Sequence, residues 1–162
     1  WSPGGDALAY VSDAEGEAGV WVREVGGPDR RLVASAGELA CPSWSPDGER
    51  IVFNRIRGAR SRLLSVPVPA EIGSGGAEPL VGRDRVRTLT GEDEDVFPFR
   101  AQWPSADRIL YTADGGVRER AVSGRGSAEE VPFLGLVEAG RVDLLDVGGQ
   151  REVFPQPDVH PL

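Results

Sequence analysis

One short pattern recurs along this chain and limits its fold more than any other feature. Trp1-Ser2-Pro3-Gly4-Gly5 leads into Asp6-Ala7-Leu8-Ala9-Tyr10-Val11, and Trp44-Ser45-Pro46-Asp47-Gly48 leads into Glu49-Arg50-Ile51-Val52-Phe53-Asn54. A degenerate copy runs from Trp103 through Pro104, Ser105, Ala106 and Asp107 into Arg108-Ile109-Leu110-Tyr111-Thr112. The copies start 43 and 59 residues apart, and the longer interval contains a Gly/Pro-rich stretch from about Pro67 to Gly82 that reads as an insertion. A period of about 40–45 residues holding several strands is the signature of propeller blades.

Each part of the repeat has a mechanical reason. Ser45-Pro46-Asp47-Gly48 suits a type I turn, with Ser first, Pro fixing φ second and Gly last. It should join an inner strand ending at Trp44 to a second strand starting near Arg50. In that second strand Ile51 and Phe53 point to one face, and Val52 and Asn54 to the other. Leu8 with Tyr10 and Ile109 with Tyr111 repeat the pattern, so an aromatic recurs at one place per repeat. The third copy is one residue shorter between Trp103 and Tyr111, and its Pro comes early, so its turn should differ. Third strands are predicted at Val20 to Val25, Arg62 to Val66 and Val117 to Val122. Edge strands are predicted at Arg31 to Val33, Val86 to Leu89 and around Glu130 to Phe133, where flanking charge suits an edge.

The fold class that follows is all-β, a partial β-propeller of about three four-stranded antiparallel blades near residues 1–35, 40–90 and 97–134. Residues 135–162 read as additional strands, near Val142 to Val147 and Glu152 to Phe154, or as the start of a further blade. Three of the four Trp residues, Trp1, Trp44 and Trp103, precede a turn once per repeat. That placement favours wedges between twisted sheets over a platform for stacking a ligand. Known propellers use about 4–8 blades, so three cannot close a ring. The chain starts inside a repeat at Trp1, without an initiator Met, and reads as a fragment of a longer protein.

Composition agrees with such a fold. Gly 22 and Pro 13 make up more than a fifth of the 162 residues and lie among short apolar runs, as turns of an all-β protein do. The 18 basic residues are all Arg, and with 26 acidic ones they give a net charge of −8. An acidic surface argues against nucleic acid or an anionic membrane as partner. No apolar stretch approaches the roughly 20 residues of a membrane-spanning helix. The single cysteine, Cys41, cannot form an internal disulfide and reads as a small buried apolar residue.

The pattern from Trp44 to Asn54 resembles the TolB-type propeller repeat, and the resemblance covers Trp1 to Phe133. That repeat occurs in TolB, in propellers ahead of prolyl oligopeptidase-like serine peptidases, and in propellers fused ahead of metal-dependent amidohydrolases. Arg87-Thr88-Leu89-Thr90, Asp95 to Trp103, Leu110 to Gly115 and Val131-Pro132-Phe133 are similar to the propeller portion of the amidohydrolase fusions. The resemblance implies a periplasmic or secreted protein. It also implies partners in the remaining blades and in a fused catalytic domain or a protein partner.

Catalytic groups are scarce in the sequence. An amidohydrolase centre needs several His ligands, usually with a carboxylate and a Lys, and this chain has one His, His160, and no Lys. A serine hydrolase needs a nucleophile elbow and a His base, and no GxSxG is present. No catalytic residue, metal or cofactor is therefore expected. Gly73-Ser74-Gly75-Gly76 and Gly124-Arg125-Gly126 lack the context of phosphate loops and read as turns. The acidic run Glu92-Asp93-Glu94-Asp95 lacks the spacing of calcium loops and reads as a solvated loop. Arg55, Arg57, Arg60 and Arg62 cluster about one hairpin, where they either bind an acidic partner or balance nearby carboxylates, the second being favoured. The sequence expectation is a non-catalytic propeller segment that scaffolds or gates a fused hydrolase, an amidohydrolase first. The alternatives are a TolB-like interaction module of the bacterial envelope and the gating propeller of a serine peptidase.

Overall fold

The computed structural model describes residues 1–72, 78–123 and 127–132. The glycine-rich spots at 73–76 and 124–126, Phe133, the strands expected beyond it and His160 lie outside the described residues.

Among the described residues three antiparallel sheets follow one another along the chain. The first joins β1 (Ala7–Ser12), β2 (Gly19–Glu24) and β3 (Asp29–Ala34) in that order. The second joins β4 (Glu38–Trp44), β5 (Arg50–Arg57), β6 (Arg60–Pro67) and β7 (Arg87–Thr88). The third joins β8 (Gln102–Ser105), β9 (Arg108–Ala113), β10 (Gly116–Ala121) and β11 (Glu129–Glu130). Each sheet is built from sequential neighbours, as in a meander, with β6 and β7 alone among these pairs joined by a long connection across residues 68–86. The architecture is a partial β-propeller, with one blade of three strands and two of four.

Period-2 alternation places the core. On β5, Ile51 and Phe53 pack with Val20, Val22, Leu32 and Trp44 between the first and second blades. Val52 packs on the opposite side with Leu63, Ile109 and Tyr111 between the second and third. The middle blade is therefore buried on both faces, and Ile51, Val52, Phe53 and Asn54 all have at most 1 % exposure. The third blade alternates cleanly: Ile109, Tyr111 and Ala113 are buried, whereas Leu110 and Thr112 are half-exposed.

The insertion after β6 has a packing role. Leu80 and Val81 donate backbone hydrogen bonds to the carbonyls of Arg31 and Leu32 on β3 (both 2.9 Å). Ile72 and Val81 are buried in the core between the first two blades. The extra length thus covers the edge of the first blade, one of the ways in which proteins protect a strand edge.

Candidate functional site

The repeat aromatics mark the surface through which blades grip one another. Phe53 does this by apolar contact alone, fully buried against the first blade. Tyr111, at the same repeat position, is held by a polar network. Its hydroxyl donates to Glu94 Oε2 (2.5 Å) and accepts from Arg120 Nε (3.0 Å). Arg120 also pairs with Glu94 Oε1 (2.5 Å), donates to the Leu89 carbonyl, and lies over the Tyr111 ring at 5.5 Å. Gly91 N donates to the same Glu94 oxygen (2.7 Å). Leu89, Gly91 and Glu94 belong to the return from β7 to β8, so a pair on the third blade grips the end of the second. Burial and the hydrogen bond to Glu94 raise the Tyr111 pKa to about 12.

A second set of bonds pins the same return across the second blade. Asn54 Nδ2 donates to the Phe99 carbonyl (2.9 Å), and Ser43 Oγ donates to the Ala101 carbonyl (2.9 Å). Trp103 Nε1 donates to Ser43 Oγ (3.2 Å). Each of these polar groups is directed to a backbone or side-chain partner in the neighbouring blade, which fixes the stacking angle as well as the distance.

No family model matches the chain. A 59-residue stretch, 35 % of the chain and 14 % of the relative, is 36 % identical to the Tol-Pal system protein TolB of Alcanivorax borkumensis. A 54-residue stretch, 32 % of the chain and 8 % of the relative, is 43 % identical to the Uncharacterized peptidase YuxL of Bacillus subtilis. Over 83 % of the chain the fold superposes on 31 % of TolB from Acinetobacter baumannii, with a TM-score of 0.61 at 20 % identity. The fold is a TolB-like β-propeller. A puromycin-hydrolyzing peptidase from Mycobacterium tuberculosis shares it, with a TM-score of 0.53 at 18 % identity over 80 % of this chain and 22 % of that one. The chain therefore spans less than a third of each of these proteins.

Within the TolB-like propeller the signature residues fall as follows. Ser45 and Gly48 close the second-repeat turn, with Gly48 N bonded to the Ser45 carbonyl (2.9 Å). Pro46 and Asp47 are exposed at its tip. Gly48 has φ +76, a left-handed value that explains glycine there. Ser45 Oγ donates to Asp47 Oδ1 (2.5 Å) and accepts from Arg50 N (3.0 Å). The Ser45 hydroxyl, followed by the Glu49 amide, holds the Asp47 carboxyl below its ordinary pKa. Ser2 and Gly5 make the same closure around an exposed Pro3 (3.0 Å). In the third repeat Ser105 pairs directly with Arg108, leaving a two-residue turn at Ala106 and Asp107. The early Pro104 removes the longer turn.

Trp44 is 8 % exposed between the first two blades, and Trp103 is half-buried between the second and third. Trp1 differs from the wedge expectation, at 64 % exposure. It holds the repeat position that in Trp44 faces the preceding blade, and no other described sheet packs there. The fourth, Trp21, is buried on its own blade under the Arg31 guanidinium, 5.7 Å from its ring. Tyr10 is half-exposed on that same open face and donates to Asp29 Oδ1 (2.7 Å).

The acidic run is not wholly a solvated loop, because the Glu94 side chain is 9 % exposed and ion-paired. Cys41 is half-buried rather than buried, since it sits at a bulge between Ala40 and Ser43 with φ 52 and donates to the Pro98 carbonyl (3.3 Å). Sequence reasoning missed Arg120 and Glu94. A signal existed: Arg23 and Arg120 occupy the same repeat position, opposite Leu8 and Ile109 respectively. Among the described residues no group of three His, Cys, Asp or Glu side chains is arranged to hold a metal ion.

Proposed function

We propose that the chain is a non-catalytic segment of a larger β-propeller that scaffolds or gates a hydrolase domain of the same protein. One observation carries the reading. Tyr111 and Arg120 grip the second blade, whereas Tyr10 and Arg23, the same two repeat positions on the first blade, reach Asp29 of their own blade (2.7 and 3.7 Å) and, among the described residues, no other blade. A pair shaped to hold a neighbouring blade, on a half-exposed face, fits a propeller that continues.

Two hydrolases compete for the attached domain. The similarity of the 87–115 region to amidohydrolase fusions favours a metal-dependent amidohydrolase. The 54-residue match to a peptidase and the shared fold of a second peptidase favour a peptidase, and that support is the broader. A TolB-like interaction module without an enzyme is the other reading, favoured by the 59-residue match to TolB. The complete reading frame discriminates them. A downstream GxSxG with a His supports the peptidase, and a His-x-His pair supports the amidohydrolase. A frame with neither leaves the interaction module and refutes the hydrolase reading. The full-length protein is expected to hydrolyse its substrate with residues outside this segment. An activity lost on replacing a side chain of this chain that leaves its fold intact refutes the non-catalytic role.

A further inference from the structure

The β5–β6 hairpin concentrates positive charge on an otherwise acidic protein. Arg55 and Arg57 stand two apart on β5, and the register sets Arg55 opposite Arg62 and Arg57 opposite Arg60. All four side chains thus rise from one face of the hairpin, in two cross-strand pairs of like charge, an arrangement that is destabilising by itself. They line a groove of about 540 Å³ whose other wall carries Thr88, Thr90 and Glu92.

Among the described residues, few carboxylates balance this cluster. Glu92 is the one acidic residue lining the groove among the described residues. Its side chain is 94 % exposed and lies 3.6 Å from Arg62. Arg60 and Arg57 are held by carbonyls, those of Glu92 (2.9 Å) and Ala36 (3.1 Å). Arg55, half-buried at the centre, has no hydrogen-bond or ion-pair partner among the described residues. Burial, followed by the charges of Arg57 and Arg62, pulls its pKa below the ordinary value.

We propose that this groove binds an extended acidic peptide, one carboxylate between Arg55 and Arg62 and the next between Arg57 and Arg60. Planar guanidinium groups match carboxylates bidentately. The choice of a peptide over a compact phosphate rests on spacing. Residues two apart on a strand repeat at about 6.8 Å, and an extended peptide presents alternate side chains at the same interval. Glu92 already supplies one carboxylate to Arg62 from its own chain, so it is the internal competitor that such a peptide displaces.

Fluorescence polarisation on the 162-residue chain tests this with a labelled Gly-Glu-Ser-Glu-Gly peptide, its Gln-for-Glu counterpart, and inorganic pyrophosphate as competitor. The acidic peptide is expected to bind one to one, to weaken as salt screens the charges, and to outbind the neutral counterpart. Arg55→Gln, which also relieves like-charge repulsion and so keeps the fold, should weaken binding about tenfold, the loss of one charge-assisted hydrogen bond. Glu92→Gln should strengthen it. Absence of saturable binding at low salt, equal affinity in Arg55→Gln, or unchanged affinity in Glu92→Gln overturns the proposal. Pyrophosphate that binds more tightly than the peptide also overturns it, since the groove then reads a compact phosphate.

Discussion

Arg120 and Glu94 form an ion pair at 2.5 Å with both side chains 9 % exposed, joining the third blade to the loop that leaves the second. Such a pair gives little net stability compared with an apolar replacement of both partners, but removing one partner strands the other charge. Glu94→Gln is therefore expected to destabilise the chain by about 3–5 kcal/mol, and Arg120→Met by a similar amount. The double variant should lose less than the sum, because the two effects share one cause. Urea unfolding of the two single variants and the double variant checks this, and strict additivity would show that the groups act separately.

The repeat tryptophans are expected to differ in proportion to their burial. Trp44→Ala opens a cavity between two blades and should cost about 3–5 kcal/mol. Trp103→Ala removes a half-buried ring and its bond to Ser43, and should cost less. Trp1→Ala removes a ring that is 64 % exposed and should leave the melting temperature of this chain nearly unchanged. Equal losses at all three positions in thermal melts would mean that exposure does not govern their contribution.

Most of the fold was legible because the repeat acts at two levels at once. The Ser-Pro-x-Gly turn and the alternation around Phe53 specify local hairpins, and their recurrence specifies that the hairpins stack. The links between blades were not legible. Asn54 to Phe99, Ser43 to Ala101 and Arg120 to Glu94 join residues 45, 58 and 26 positions apart, and no local pattern encodes such partners. Glu94 was misread because an acidic run is normally solvated, whereas here one member turns inward to meet a buried guanidinium. The exposure of Trp1 was equally hidden, since its repeat position says which way the ring faces and not what lies there.

Both tyrosines should titrate far above the ordinary phenol. Burial, then the hydrogen bond to Asp29, raises Tyr10 to about 12, and burial, then the bond to Glu94, raises Tyr111 to about 12. An unfolded tyrosine ionises near about 10, so the neutral, bonded form contributes stability that is intact below about pH 10. That contribution is lost as pH rises towards 12. The chain contains 2 Tyr, so phenolate absorbance near neutral to alkaline pH reports these groups alone. Ionisation of either near pH 10 in the folded chain would break the assigned bond.

Gly37, at the passage from the first blade to the second, has φ 106, and a Cβ there would lie 2.8 Å from the Ile56 carbonyl oxygen. The two obstacles are separate. A left-handed backbone costs a side-chain-bearing residue about 1–2 kcal/mol, and the carbonyl belongs to the backbone of β5, which cannot swing aside as a side chain would. Gly48 also has a positive φ, +76, but the nearest atom to an added Cβ is 3.9 Å away on Pro3. Gly48→Ala should therefore show the backbone cost alone, and Gly37→Ala that cost plus displacement of β5 from the start of β4, where Glu38 pairs with Ile56. Chemical denaturation of the two variants separates the terms, and a Gly37→Ala loss no larger than that of Gly48→Ala would show that the β4–β5 pairing tolerates a shift at this end.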